Sequence, residues 1–266
     1  MKKKAYVVGK NASQSLSPHI FNYWFKQNNI NGEYFYKQVD LKNFNKEIDK
    51  ILLEKEVCGF NVTIPFKELI KNKLSKIDIH SKNIGAINCV SRINNKWSGK
   101  NTDWVGFSKA INYRNKILSK KSAIVIGYGG AAKAVIYALK KEGFNQIKVF
   151  NRTKEKIQHL KKDKDVVPLD LHLLPKHLKD TDLIVNATPI DILKSLLVPK
   201  TINNSFACDI VYRPKETGFL SHFLKNKRIY GISMLVYQAA PCFEEWFGVK
   251  PTIDHKLLNY LDKYIS

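Results

Sequence analysis

The chain has 266 residues, 44% of them hydrophobic and 11% aromatic, and a formal net charge of +22. That length allows two modest domains with their own cores, and the composition excludes a disordered chain. No apolar run reaches membrane-spanning length, and Ala5-Tyr-Val-Val8, behind the basic Met1-Lys-Lys-Lys start, is too short for a signal peptide. Lysines occur in nearly every segment instead of forming one stripe interleaved with stacking aromatics. The charge therefore reads as a solvated surface, with neither nucleic acid nor membrane as partner, and its field attracts anionic ligands. Cys58, Cys89, Cys208 and Cys242 are scattered without a C-x-x-C pair or zinc spacing. They predict buried thiols in a reducing, cytoplasmic compartment, and no metal.

The first hundred residues read as an α/β unit. A strand at Lys4–Val8 runs through a loop into Ser17-Pro18, with serine as N-cap and proline at the first helical position. The helix buries Ile20, Phe21, Trp24 and Phe25 and ends by Asn31-Gly32. A strand at Tyr34–Val39, a helix at Phe44–Glu54 and a strand at Val57–Thr63 follow, and Pro65 opens a short helix. Ile84–Ile93 and Lys96–Ser98 form a hairpin turning at Asn94-Asn95. A helix from Thr102 leads into a second unit.

That unit opens with Ala123–Ile126, an apolar run suited to a strand buried on both faces. Gly127-Tyr-Gly129-Gly130-Ala-Ala132 is a G-x-G-x-x-A turn, followed by a helical pattern to Leu139 and a strand at Ile147–Phe150. Glycine at 127 permits a tight turn, glycine at 129 lets backbone approach a pyrophosphate, and the helix start offers unpaired N–H groups. Gly130 and Ala131 stand at that helix start. Strand, turn, helix and strand together identify a dinucleotide site. The second strand ends on Asn151-Arg152-Thr153-Lys154, where an NAD site places an acid. An arginine fork suits a 2′-phosphate, so the cofactor reads as NADP. Further strands at Leu183–Asn186, Phe206–Ile210 and Arg228–Tyr230 give about six in a Rossmann-type, doubly wound parallel sheet. Helices at Met234–Phe247 and Thr252–Tyr264 return to the first unit. The expected domains are 1–102 with 236–266, and 103–235, with a cleft between them.

Four polar loops stand at strand ends or helix starts: Ser15-Leu-Ser17, Asn61-Val-Thr63-Ile-Pro-Phe-Lys67, Gly85-Ala-Ile-Asn88 and Asn101-Thr-Asp103. Alone, Ser17 or Asp103 would read as a helix cap and Lys67 as one surface lysine among many. In this order, with the glycine loop, Asn151-Arg-Thr153, Asn186-Ala-Thr188, Asp209-Ile-Val-Tyr212-Arg-Pro214 and Gly231-Ile-Ser-Met-Leu-Val-Tyr-Gln238, they resemble the shikimate dehydrogenase family almost from end to end.

The resemblance implies NADPH-dependent reduction of 3-dehydroshikimate to shikimate, a step in chorismate and aromatic amino-acid biosynthesis. It implies that Ser15 and Ser17 donate to the substrate carboxylate, and that Thr63, Asn88, Asp103 and Gln238 hold ring hydroxyls. Lys67 and Asp103 form the catalytic pair, and Tyr212, Gly231 and Met234 line the nicotinamide and substrate cleft. Gly127, Gly129, Gly130, Ala131, Asn151, Arg152, Thr153, Thr188 and Ile210 complete the cofactor set. Gln14, Asn11, Cys89, Asp191 and Tyr128 replace the family's usual His, Pro, Thr, Gly and Ala, with Asp191 expected to face solvent. The alternatives are a quinate/shikimate dehydrogenase of broader range and a catalytically silent binding protein of the same fold. The expected partner is a small-molecule substrate, and the expected state a monomer or homodimer.

Overall fold

The structure, a computed structural model, describes residues 2–113, 117 and 121–265. They form two compact units, Met1–Asp103 with Val236–Tyr264, and Trp104–Leu235 with Ile265–Ser266. Asp103 thus packs with the first unit.

The first unit is built on β1 (Lys3–Gly9), whose interior residues Ala5, Val7 and Val8 are almost fully buried. Helix α1 (Ser17–Gln27) follows, then β2 (Gly32–Gln38), α2 (Phe44–Leu53) and β3 (Val57–Val62). Beyond them lie β4 (Lys76–Ile77), α3 (Ile79–Ile84), β5 (Cys89–Ile93) and β6 (Lys96–Lys100). The sheet order is β2-β1-β3-β5-β6-β4, with β1 parallel to β2 and β3, and β5 antiparallel to β3 and β6. Asn94 and Asn95 turn the predicted hairpin with φ of 49° and 58°, the left-handed pair that a two-residue connection of matching twist requires.

Several boundaries differ from expectation. Helix α1 starts on Ser17 itself, with Leu16 in the cap position and no side-chain cap. It ends at Gln27, and Gly32 opens β2 instead of closing the helix. Pro65 opens turns closed by Phe66 and Leu69 N–H bonds to the carbonyls three residues back, and a 3-10 turn follows only at Ile70–Lys73. Ile84 ends α3, which is capped by Asp78 accepting from the Ser81 N–H at 2.7 Å, so the strand begins at Cys89. Of the four cysteines, Cys58 is only half-buried.

Helix α4 (Asp103–Asn112) leads into the second unit. There β7 (Ser122–Ile126), α5 (Gly130–Lys141), β8 (Gln146–Asn151), β9 (Val166–Asp170), β10 (Leu183–Asn186), β11 (Phe206–Asp209), α6 (Gly218–Ser221) and β12 (Arg228–Tyr230) succeed one another. All pairings are parallel in the order β12-β11-β10-β7-β8-β9. Counted from β7, this is the Rossmann order, with a crevice where the winding reverses between β7 and β10. Its core includes Ile124, Ile126, Phe150, Leu174, Ile184 and Phe219.

Helix α7 (Gly231–Phe247) and helix α8 (His255–Asp262) finish the chain; α8 is capped by Asp254 and starts three residues beyond the expected Thr252. The residues of α7 from Val236 onward belong to the first unit, where Phe243 and Trp246 lie 5.7 and 5.6 Å from the Phe21 ring. Among the described residues no helix is long and apolar enough to cross a membrane.

Candidate functional site

In the first unit, Lys67 follows the turn at the end of β3. The Phe66 N–H donates to the Thr63 carbonyl at 2.9 Å, and the buried Phe66 ring stacks 4.5 Å from Phe44. The Lys67 carbonyl accepts from the Ile87 N–H at 2.7 Å. With backbone pinned on both sides, the Lys67 side chain, 12% exposed, donates from Nζ to Asp103 Oδ2 at 2.6 Å. The Asp103 side chain is 6% exposed. Its other oxygen accepts from Asn88 Nδ2 at 2.9 Å, and the same amide reaches Gln238 Oε1 at 2.9 Å. Asn88 Oδ1 in turn accepts from the Thr102 N–H at 2.6 Å.

A buried ion pair is sustained where its remaining polar groups find partners, and Asn88 supplies one for the second Asp103 oxygen. An ammonium carries three hydrogens, so Lys67 can hold Asp103 and still donate to a ligand. Lys67, Asp103, Asn88 and Gln238 are thus brought together from four separate segments of the chain.

Ser15 and Ser17 lie beyond β1. Ser15 Oγ accepts from the Ser17 N–H at 3.2 Å and donates to Ser17 Oγ at 3.1 Å. Burial pushes the Tyr34 phenol well above its usual pKa. The Tyr34 hydroxyl donates to Asn61 Oδ1 at 2.7 Å, and Asn61 Nδ2 donates to the Asn88 carbonyl at 3.0 Å. Hydrogen bonds therefore run from Tyr34 through Asn61 to Asn88. Thr63, half-buried, donates its N–H to the Val8 carbonyl at 2.9 Å at the ends of β1 and β3. Tyr34 and Thr102 were not among the predicted site residues. No local pattern marks Tyr34, since its partner lies 27 residues on.

In the second unit, the glycine turn sits at the sheet crevice. Gly127 has φ of +101°, and a β-carbon there would stand 2.9 Å from Thr188 Cγ2 and 3.2 Å from the Ala187 carbonyl oxygen. Gly129 differs: its φ is −93°, and a β-carbon would meet nothing within 4 Å. Backbone geometry does not demand glycine at 129, so its missing side chain leaves a cradle open at the start of α5, beside Gly130 and Ala131. Unpaired N–H groups and the positive end of the helix dipole favour phosphate there. The residues present fit a dinucleotide.

The Gly127 N–H donates to the Phe150 carbonyl at 2.8 Å, which ties the turn to the end of β8. Asn151 follows, donating Nδ2 to the Thr153 carbonyl at 2.8 Å, with Arg152 exposed between them. Across the crevice, Asn186 Oδ1 accepts from the Thr188 hydroxyl at 2.7 Å, and the Ile210 N–H donates to the Asn186 carbonyl at 3.1 Å. The Gly231 backbone passes so close that a β-carbon would stand 2.7 Å from the Ile210 carbonyl oxygen. Met234 is buried one turn along α7, and Tyr212 is half-buried after β11. Gly127, Thr188, Ile210 and Gly231 thus gather at the ends of β7, β10 and β11.

Asp191 does not face solvent as expected. Its Oδ1 is buried, and Oδ2 would stand 2.1 Å from a β-carbon on Gly218, so the carboxylate fills the gap that this glycine leaves. Burial raises the carboxyl of nearby Asp209 above its usual range, and the Asp191 charge acts in the same direction. The Thr217 hydroxyl, Val211 N–H and Asn186 amide oppose both.

Residues 7–90 match the family model described as the shikimate dehydrogenase substrate binding domain, and residues 110–205 that described as shikimate/quinate 5-dehydrogenase. A shikimate dehydrogenase (NADP(+)) of Bartonella tribocorum is 36% identical, covering 96% of this chain and 91% of its own. Among solved structures, the shikimate dehydrogenase of Aquifex aeolicus is 31% identical with a TM-score of 0.83, covering 97% of this chain and 96% of its own. The Thermus thermophilus enzyme, in complex with NADP(H) and shikimate, is 26% identical with a TM-score of 0.80, covering 99% and 98%. On its sequence, its fold and its two matched segments, the chain belongs to the shikimate dehydrogenase family.

Proposed function

We propose that the chain is an NADP-dependent shikimate dehydrogenase, interconverting 3-dehydroshikimate and shikimate. The observation that carries this reading is the buried Lys67–Asp103 pair, held at 2.6 Å within a network reaching Asn88 and Gln238. Bound NADPH supplies the hydride that adds to the carbonyl carbon. The Lys67 ammonium donates a proton to the carbonyl oxygen and stabilises the alkoxide as it develops. Asp103 holds Lys67 in place and, with Thr63, Asn88 and Gln238, takes the ring hydroxyls. Ser15 and Ser17 receive the carboxylate, and Tyr212 borders the substrate. Residues 1–103 with 236–264 are the substrate-binding domain.

Residues 104–235 bind NADP. Gly127, Gly129, Gly130 and Ala131 receive the pyrophosphate, and Asn151, Arg152 and Thr153 the 2′-phosphate. Thr188, Ile210, Gly231 and Met234 line the nicotinamide end. The enzyme acts in the cytoplasm, as a monomer or homodimer, a compartment that four free cysteines support. Parallel oxidation assays with shikimate and quinate, each with NADP and NAD, test the reading. Turnover of shikimate with NADP is expected to dominate. Comparable turnover of quinate identifies the broader enzyme, and no turnover of either identifies a silent binding protein.

A further inference from the structure

The glycine turn carries a large side chain at its second position. The Tyr128 hydroxyl lies 2.8 Å from His159 Nε2, with the two rings 5.4 Å apart. Lys133 Nζ, on the first turn of α5, stands 5.3 Å from the Tyr128 ring centroid. His159 belongs to the 3-10 segment Lys154–Lys162, which follows directly on Asn151-Arg152-Thr153. Tyr128 therefore crosses from the turn suited to a pyrophosphate to the cationic segment behind β8. The Gly127–Phe150 bond anchors the near end of that crossing. In a Rossmann sheet the ribose of the cofactor's adenosine half lies at the end of the second strand, which here is β8.

We propose that Tyr128 and His159 are specificity-determining residues that receive the cofactor's 2′-phosphate together with Arg152, an inference that rests on the NADP reading above. A phosphate oxygen entering between them accepts one hydrogen from the phenol and one from the imidazole. Before it arrives, the same two groups satisfy each other, so neither is left without a partner. Lys133 over the ring adds positive potential at the same place. The pair adds two donors that the Asn151-Arg152-Thr153 motif does not contain.

Isothermal titration of the full chain with NADP+ and NAD+, which differ only in the 2′-phosphate, tests the proposal. Tyr128→Phe keeps the ring and its packing, and removes only the hydroxyl. It and His159→Ala are each expected to weaken NADP+ about tenfold, the scale of a hydrogen bond to a charged group, and to leave NAD+ within about twofold. Unchanged NADP+ affinity overturns the proposal. So does equal weakening of both dinucleotides, which would make the pair a contact to adenosine or a prop for the turn. Arg152→Ala separates the two readings. If it alone abolishes the preference for NADP+, the pair has no role and the cofactor assignment stands. A wild-type chain with no preference for NADP+ overturns both.

Discussion

Lys67 shows how a common residue is made distinctive by what surrounds it. Its ammonium is enclosed, bonded to Asp103, and backed by a turn whose Phe66 is locked into the core. If it is the proton donor, Lys67→Ala lowers kcat by about 100-fold or more and leaves NADP affinity nearly intact. Steady-state turnover and a binding titration check both halves, and turnover near wild type removes Lys67 from the mechanism. Lys67, Asp103 and Asn88 were singled out in the sequence only as members of an ordered set of polar loops, since alone Lys67 reads as a surface lysine and Asp103 as a helix cap. The path from Tyr34 through Asn61 to Asn88 was not legible there. It joins residues far apart in the chain through buried contacts that no local pattern encodes.

Two glycines of the turn stand in different surroundings. Gly127 is required by its left-handed backbone and by contact with Thr188, whereas Gly129 faces open space. Gly127→Ala is expected to cost about 1–3 kcal/mol of stability, seen in urea unfolding. Gly129→Ala should leave unfolding nearly unchanged and weaken NADP binding, because its methyl group occupies the cradle. The missed elements have similarly local causes. Strand β9 contains Pro168, which argues against a central strand and is tolerated here because β9 is the sheet edge. Strand β4 has only two residues, too few for alternation to register. By contrast β7, β10 and β11 are apolar and buried, and their sequence runs marked them closely.

Where β11 ends, the folded protein binds the Asp209 proton more tightly than the unfolded chain does. The resulting stabilisation is full below the unfolded carboxylate's pKa and is lost as pH rises through the higher folded value. Asp209→Asn removes this part of the pH dependence. With Asp209's contribution removed, urea unfolding is expected to show a more positive slope of stability against rising pH across the acidic range in the variant than in the wild type.

Across the molecule, a charge of +22 is carried by lysines in nearly every segment, while three of the four cysteines are sealed in the interior. Cys89 and Cys242 belong to the first unit and Cys208 to the second, each buried to 0% exposure. Burial raises the thiols of Cys89 and Cys208, and pushes half-buried Cys58 up to about 11. The thiolate is the nucleophile that attacks an alkylating reagent and displaces its leaving group, so native protein at neutral pH should be modified first at Cys58, and slowly. The other three become reactive only when their surroundings open. The chain thereby contains its own chronometer for breathing motions, with a separate hand in each half. Peptide mass spectrometry during iodoacetamide exposure should find shikimate retarding Cys89 and Cys242, and NADP retarding Cys208, each ligand closing the half that it occupies.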